Sequence, residues 1–172
     1  DFSLSGGMTS YESLSGKNSD RYQFILPYYN FSKNLFTREN FGSMSLNSLG
    51  SNNYKDTNNV RSRIVNDINF ESFDLISNLG IKNNINIYLK NLNTVAKNDP
   101  VYKSSPQLEL MSIFEARSTY PLIKSSSEFD ETISPTISFR LNPGQMKNLT
   151  SRNINVDNIF SINRLGLSEA YE

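Results

Sequence analysis

The 172-residue chain contains no cysteine, no histidine and no tryptophan. The lack of cysteine excludes a disulfide scaffold and any cysteine-based metal site. The lack of histidine removes the usual general base, the Ser-His-Asp triad and most zinc sites. An enzyme is therefore the least expected class, and we expect no cofactor, because no pattern supplies an activated nucleophile or a metal cluster.

Charge of one sign and long apolar runs are also missing. Seventeen basic and seventeen acidic residues cancel, so no basic excess favours nucleic acid as a partner. No run approaches the roughly 18 apolar residues of a membrane-spanning helix. The mean hydropathy of −0.49 is low, yet 11 Phe and 9 Tyr are too many aromatic residues for a disordered chain. The chain should therefore fold.

What the sequence does contain is period-two alternation of apolar and polar residues, which predicts β-strands. The alternation is clearest from Gly80 to Leu92, where isoleucines and leucines alternate with lysines and asparagines. We expect about eight strands, at 1–14, 21–33, 40–52, 60–70, 80–92, 108–122, 133–141 and from near Ser161. Several reach the ten or so residues that a tilted strand needs to cross a bilayer. The predicted class is all-β, an antiparallel up-and-down transmembrane β-barrel segment.

The polar side of these strands carries charge, which a packed core does not tolerate but a water-filled lumen does. We predict that seven charged residues face the lumen: Arg61, Arg63, Lys82, Lys90, Glu115, Arg117 and Arg140. They either contact phosphates of a transported lipid or are solvated side chains paired with acidic neighbours. A soluble antiparallel sheet also alternates, so a soluble all-β binding module remains the alternative on pattern alone.

Aromatic residues and connections supply further expectations. Aromatic residues near strand ends predict interfacial girdles: Tyr22, Phe31, Phe36, Tyr88, Tyr102 and Tyr120. The long connections 93–106 and 142–159 should lie outside the cell, and the short turn at 125–128 in the periplasm. Three prolines within predicted strands should each mark a bulge, a strand end or a weakened pairing: Pro27, Pro121 and Pro135.

Closure is expected to require strands beyond this chain. Eight strands close into a barrel whose interior is filled by side chains, whereas the charged face predicts a wider ring. The chain begins with Asp1 and ends with Tyr171-Glu172, without a signal segment at its start. We therefore expect 1–172 to be one partial outer-membrane barrel domain, truncated at both ends.

Four sequence blocks resemble strands of the LptD (OstA) family of lipopolysaccharide-assembly proteins. Glu115–Lys124 resembles the family's E-x-R-x-x-Y/W-P-L-V/I strand, and Asp157–Leu167 its D-x-N-L-F-S-x-N-R-x-x-G segment. Asp20–Phe31 and Asp56–Arg61 resemble earlier blocks, in family order. The most specific block contributes six motif residues: Asp157, Asn158, Phe160, Asn163, Arg164 and Gly166. The sequence departs from the family at Ser134, where a glutamate usually precedes the proline.

The resemblance implies transport in the outer membrane of a Gram-negative cell. Members of this family form a large barrel that contains a plug lipoprotein, LptE, and contacts outer-membrane lipid. The barrel receives lipopolysaccharide from periplasmic Lpt bridge proteins through an N-terminal domain, which we expect to lie outside this chain, and releases it through a seam between terminal strands. The motif residues would form either a loop touching the lumen or plug, or local turn structure. A porin or TonB-dependent receptor segment is the alternative barrel.

Overall fold

The computed structural model describes residues 1–14, 22–55 and 58–144, together with Val156, Ile159 and Tyr171. This part of the chain is antiparallel β-structure without helix. The strands are β1 (Phe2–Glu12), β2 (Tyr22–Arg38), β3 (Gly42–Lys55), β4 (Asn59–Ser72), β5 (Leu75–Ile76), β6 (Lys82–Lys97), β7 (Gln107–Thr119), β8 (Leu122–Ser125), β9 (Asp130–Ile133) and β10 (Thr136–Leu141).

The main sheet has the order β1-β2-β3-β4-β6-β7-β10, and each strand pairs antiparallel with the next one. The short β5 adds to β6, and β8 with β9 forms a separate hairpin. β1 and β10 are the two edges, so the sheet does not close into a barrel within the described residues. The structure thus confirms an all-β antiparallel meander.

Seven of the predicted strands correspond to the seven strands of the main sheet. Four bounds were wrong: β2 continues to Arg38, β6 continues to Lys97, β7 already ends at Thr119, and the run 133–141 is interrupted before β10. The short β5, β8 and β9 were not predicted. The strand expected near Ser161 lies outside the described residues.

The prolines behave as the sequence predicts. Pro27 follows a cis peptide bond in β2, where the pairing with both neighbouring strands shifts register. Pro121 lies between β7 and β8, and Pro135 between β9 and β10. Proline cannot donate to a ladder, so it occurs where the ladder is already interrupted.

Alternation gives the main sheet two different faces. One face, here termed the charged face, carries Arg61, Asp67, Lys90 and Glu115 among its side chains. The opposite face, termed the apolar face, carries mainly large hydrophobic side chains: Val60, Ile64, Ile68, Phe70, Ile85, Leu89, Leu108, Leu110, Phe114, Ile137 and Phe139. The register confirms the predicted alternation in β4, β6, β7 and β10.

The only buried hydrophobic cluster among the described residues lies on the charged face. Val65, Leu92, Met111 and Ile113 are adjacent on three strands, and Tyr171 packs against them. The apolar face is instead exposed: Ile64 is 42% accessible, Leu89 39% and Phe139 68%. The sheet therefore buries Lys90 and Glu115 on its charged face, while much of its apolar face is exposed.

Connection length does not distinguish the two ends of the sheet. The strand directions place the connection at 98–106 and the turn at 125–128 at opposite ends, as predicted. However, β7 and β10 are joined by residues 120–135, the longest connection that the structure describes between neighbours in the main sheet. The short turn at 125–128 is the tip of the inserted β8–β9 hairpin within this connection, and the side of a membrane on which either connection lies stays a prediction.

Candidate functional site: the charged face

The antiparallel register assembles charged residues from distant parts of the sequence. Asp67 on β4 is the direct partner of Lys90 on β6, and Glu115 on β7 is the direct partner of Arg140 on β10. Directly opposite residues on one face lie close enough for their side chains to interact. The predicted set of seven charged residues thus falls on a single face of the sheet.

Lys90 and Asp67 form an ion pair near the centre of this face. The Lys90 Nζ donates to Asp67 Oδ1 at 2.5 Å, and its side chain is only 4% accessible. The same ammonium lies 4.9 Å from the centroid of the Tyr171 ring, within the range of a cation–π contact. A buried ammonium requires such partners, because an unpaired charge in this position would be strongly destabilised.

Glu115 is the buried acceptor of a second cluster. Its side chain is 3% accessible, and it receives a hydrogen bond of 2.8 Å from Arg117 Nη2. Arg140 donates to Glu115 Oε2 from both Nε, at 3.1 Å, and Nη2, at 2.6 Å. Two guanidinium groups therefore share one buried carboxylate.

Arg61 joins the face to the connection at 98–106. Its Nε and Nη2 donate to the two carboxylate oxygens of Asp99 at 2.9 and 3.0 Å, and its guanidinium lies 4.8 Å from the centroid of the Tyr102 ring. The backbone N–H groups of Val101 and Tyr102 also donate to Asp99, at 2.8 and 2.9 Å. The connection therefore folds back against the charged face.

These contacts set the pKa of Asp99. Burial raises it, but hydrogen bonds from the backbone of Tyr102 and Val101 and from Arg61 outweigh burial. The pKa of Asp99 consequently lies below its usual range. The carboxylate is charged at neutral pH, as the ion pair with Arg61 requires.

Arg63 and Lys82 also contact neighbouring side chains. Arg63 Nε donates to Ser51 Oγ at 3.3 Å. Lys82, the first residue of β6, has its Nζ 3.9 Å from the carboxylate of Asp74, which precedes β5. The six motif residues from Asp157 to Gly166 lie outside the described residues, as do Asp20, Arg21, Asp56 and Thr57.

Three predicted girdle positions were wrong. Tyr88 is in the middle of β6 on the charged face, Tyr102 lies in a connection, and Phe31 is in the interior of β2. Tyr22 opens β2, Phe36 lies near its end and Tyr120 follows β7, as expected for residues near strand ends. The alternation of apolar and polar residues reveals that a strand is present, but it does not fix where the strand ends and therefore how far each aromatic ring lies from that end.

The apolar face contains a polar chain that the sequence did not reveal. Ser48 Oγ donates to Asn66 Oδ1 at 2.6 Å, and Asn66 Nδ2 donates to Asn91 Oδ1 at 3.1 Å. Asn93 Nδ2 also donates to Asn91 Oδ1, and the Tyr29 hydroxyl lies 3.1 Å from Ser48 Oγ. This polar chain crosses four strands. Its side chains are hydrogen-bonded to one another, so these polar groups have partners although their neighbours on this face are apolar.

Within the described ranges, no group of three or more side chains could hold a metal ion. The same ranges contain no helix that could span a membrane. No protein-family model matches the chain, and neither a curated protein nor a solved structure is significantly similar to it. A proposal of function therefore rests on the geometry of the sheet and on the sequence blocks.

Proposed function

We propose that the chain forms part of the wall of an outer-membrane transport barrel of the LptD type, which conducts lipopolysaccharide to the outer leaflet. The observation that carries the barrel part of this proposal is the inverted burial of the sheet. Soluble sheets bury the apolar face and expose the charged one, whereas here Ile64 and Leu89 are exposed and Lys90 and Glu115 are buried. Lipid outside and water inside account for this inversion.

The dimensions of the apolar face support the same proposal. Val60 and Phe70 lie ten residues apart on β4, and both are on that face. At about 3.3 Å per residue, ten steps cover about 33 Å along the strand. A tilt of about 40° reduces this to about 25 Å along the membrane normal, the height of the apolar band in outer-membrane barrels.

Aromatic residues border this band at both ends. Phe41 contacts Phe70 at 5.1 Å and Phe36 at 6.3 Å between ring centroids, beside the turn from β2 to β3. At the other end Phe24 and Tyr54 are register partners on β2 and β3. Such rings suit the level of the lipid headgroups on either side of a bilayer.

The identity of the cargo rests on the sequence blocks. The LptD-like block 115–124 begins on β7, where its Glu115 and Arg117 belong to the charged face. In a barrel this face would line the path of lipopolysaccharide, while the apolar face contacts outer-membrane lipid. The LptE-like plug and the periplasmic bridge proteins are the partners that this family assignment adds.

Single-cysteine labelling tests the orientation of the two faces, since the chain supplies no cysteine of its own. In the protein produced in its own membrane, Ile64→Cys and Leu89→Cys should resist a membrane-impermeant maleimide and react with a lipid-soluble one. Arg63→Cys, adjacent to Ile64 on the opposite face, should react with the impermeant reagent. Equal labelling of Ile64→Cys and Arg63→Cys by that reagent would refute the barrel and favour a soluble sheet.

Depletion of the protein tests the cargo separately. We expect lipopolysaccharide at the cell surface to fall, as measured by its accessibility to a surface-acting lipid A-modifying enzyme. Surface lipopolysaccharide that is unchanged, together with impaired uptake of small solutes, would instead indicate a porin-type barrel.

A further inference from the structure

A groove lies on the apolar face of the main sheet, towards the end of the sheet at which β4 begins. Its volume is about 450 Å³, which falls within the range of sites for small ligands. Its lining includes side chains from five strands: Tyr29, Asn52, Ser62, Ile64, Asn93 and Leu108. The sequence predicted strands at these positions but did not reveal a groove between them.

One row of residues across the sheet forms the walls of the groove. The register aligns one residue from each of the five strands: Tyr29, Gly50, Ile64, Asn93 and Leu108. Gly50 has no side chain, and the Tyr29 ring lies over it as one wall. Ile64 and Leu108, both exposed, are apolar walls further along the row.

The neighbouring row, two residues nearer the strand ends, is more polar. Ser62 pairs with Asn52 on β3 and with Val95 on β6. Pro27 lies in the register shift of β2 opposite Asn52 and lines the groove on that side. The short side chain of Ser62 leaves space between its two larger partners. The groove is therefore apolar along one row and polar along the other.

The lining favours an uncharged ligand. Arg63 is the only charged residue among the described residues that line the groove. Its guanidinium lies on the opposite face of the sheet, where Nε donates to Ser51 Oγ. A charged ligand would therefore lose its hydration in the groove without gaining an oppositely charged partner from this lining.

Three polar side chains are available to such a ligand. Asn52 and Ser62 make no side-chain hydrogen bond with the part of the chain that the structure describes. Asn93 Nδ2 donates to Asn91 Oδ1 at 2.6 Å, which leaves Asn93 Oδ1 as an acceptor. Amide and hydroxyl groups together offer both donors and acceptors. The ligand should therefore carry donors as well as acceptors.

The depth of the groove in the apolar band indicates where such a ligand comes from. Ser62 and Ile64 lie two and four residues from Val60, which is at the end of the band. At about 3.3 Å per residue and a tilt of about 40°, both lie about 5–10 Å below that end. Helices that lie in the membrane surface are buried about 5–10 Å deep, at the boundary between headgroups and acyl chains.

At this boundary each acyl chain of a lipid is joined to the polar part of the molecule. An ester linkage offers acceptors alone, whereas an amide linkage beside a hydroxyl group offers donors and acceptors. We infer that the groove binds a membrane lipid with such an amide-linked chain, whose linkage contacts Asn52 and Asn93 and whose chain lies along Leu108. The inference rests on the proposed function in one respect, namely that the apolar face, with which the groove is continuous, is turned to lipid.

Photocrosslinking of two matched probes to the full-length protein tests this site. Phosphatidylcholine vesicles containing the protein receive, at equal mole fraction, either an N-acylethanolamine or a methyl ester, each with the same diazirine-labelled chain. Mass spectrometry of the crosslinked peptides locates the label. We expect the amide probe to label the groove about tenfold more than the ester, because the ester has no donor for Asn52 and Asn93.

Three variants separate binding from folding. Ser62→Phe should fill the groove and lower labelling by the amide probe at least about tenfold. Ser112→Phe is the matched control, because Ser112 pairs with Leu89 on the same face but outside the groove, and it should label like the unmodified protein. Asn52→Leu keeps the size of the side chain and breaks no hydrogen bond within the described residues. It should remove most of the preference for the amide probe.

The results that would overturn the inference are specific. Equal labelling of the groove by the two probes would do so, and so would unchanged labelling in Ser62→Phe. A dimer that Ser62→Phe dissociates would assign the groove to a second copy of the chain and thereby exclude the lipid. If the preference for the amide is absent while Ile64→Cys still resists the impermeant reagent, the site fails and the barrel proposal stands. Failure of the cysteine labelling, in contrast, counts against the barrel itself.

Discussion

The ring of Tyr29 on β2 lies over Gly50, its direct partner on β3. A Cβ atom at Gly50 would be 2.8 Å from Tyr29 Cζ, closer than real Cβ contacts. The hydroxyl of the same tyrosine reaches Ser48 at 3.1 Å. The glycine thus provides the space for an aromatic ring that covers its backbone, a device known to stabilise β-sheets.

Substitution of Gly50 should therefore destabilise the sheet through Tyr29. We expect Gly50→Ala to reduce the free energy of unfolding by about 1–3 kcal/mol, because the ring must leave its position. Urea unfolding of the membrane-reconstituted protein, followed by gel mobility, measures this change. Gly144→Ala is the control, since its Cβ would have ordinary contacts, the nearest at 3.6 Å. If Tyr29→Ser does not relieve part of the loss in Gly50→Ala, the proposed clash is wrong.

Removing one member of the Lys90–Asp67 pair should destabilise the protein more than removing both members. Lys90→Met leaves the Asp67 carboxylate without its partner and should lower the free energy of unfolding by about 3 kcal/mol. Lys90→Met/Asp67→Leu should recover most of that loss, since it removes both charges. The control is Lys124→Met, which breaks the exposed contact with Glu131 on the β8–β9 hairpin and should change stability by less than about 1 kcal/mol. Equal losses in the single and double variants of the central pair would contradict this account.

The Asp99 contacts predict how the connection at 98–106 responds to acid. The pKa of Asp99 is lower in the folded protein than in the unfolded chain, where it is about 3.9. Its contribution to stability is therefore complete above that value and is lost as the pH falls through the lower, folded pKa. A fluorophore on Ser104→Cys should report a rigid connection at pH 7 that loosens in acid below about pH 4.

Asp99→Asn is the matched variant for this pH experiment. It retains the shape of the side chain and some hydrogen bonds but loses the charge paired with Arg61. Its connection should already be looser at pH 7 and should respond less to acid. The same acid transition in Asp99→Asn and in the unmodified protein would assign the effect to another group.

The loss of stability caused by a charge on the apolar face should depend on how deep the charge lies in the bilayer. Ile64→Arg places a guanidinium well within the band and should lower stability by about 2–4 kcal/mol in a bilayer. Val60→Arg lies on the same face of the same strand, near its end, and should cost about 0–1 kcal/mol. Stability in lipid vesicles measures both. Similar small effects at the two positions would mean that the apolar face does not contact lipid.

The sequence predicts the strands well because period-two alternation is a local signal. It placed Arg61, Lys90 and Glu115 on one face without knowledge of which strands pair. It could not predict the partner of Arg61, because Asp99 lies 38 residues away in a connection without periodicity.

Features that depend on register were beyond sequence reasoning. The polar chain through Ser48, Asn66 and Asn91 exists only because three strands align at those positions. Nor does any local pattern place Tyr171 against Leu92 and Ile113. Such contacts are determined by pairing geometry rather than by residue type.

The strand order has a consequence for how the proposed barrel wall would assemble. Every strand of the main sheet pairs with its nearest long neighbour in the sequence, so each hairpin closes a short loop. Each hairpin can pair with the strand that precedes it in the sequence. The growing side of the sheet then has a single unpaired edge strand. The wall can therefore be built by successive addition of hairpins, and a machinery that guards a single advancing edge suffices to protect it from aggregation.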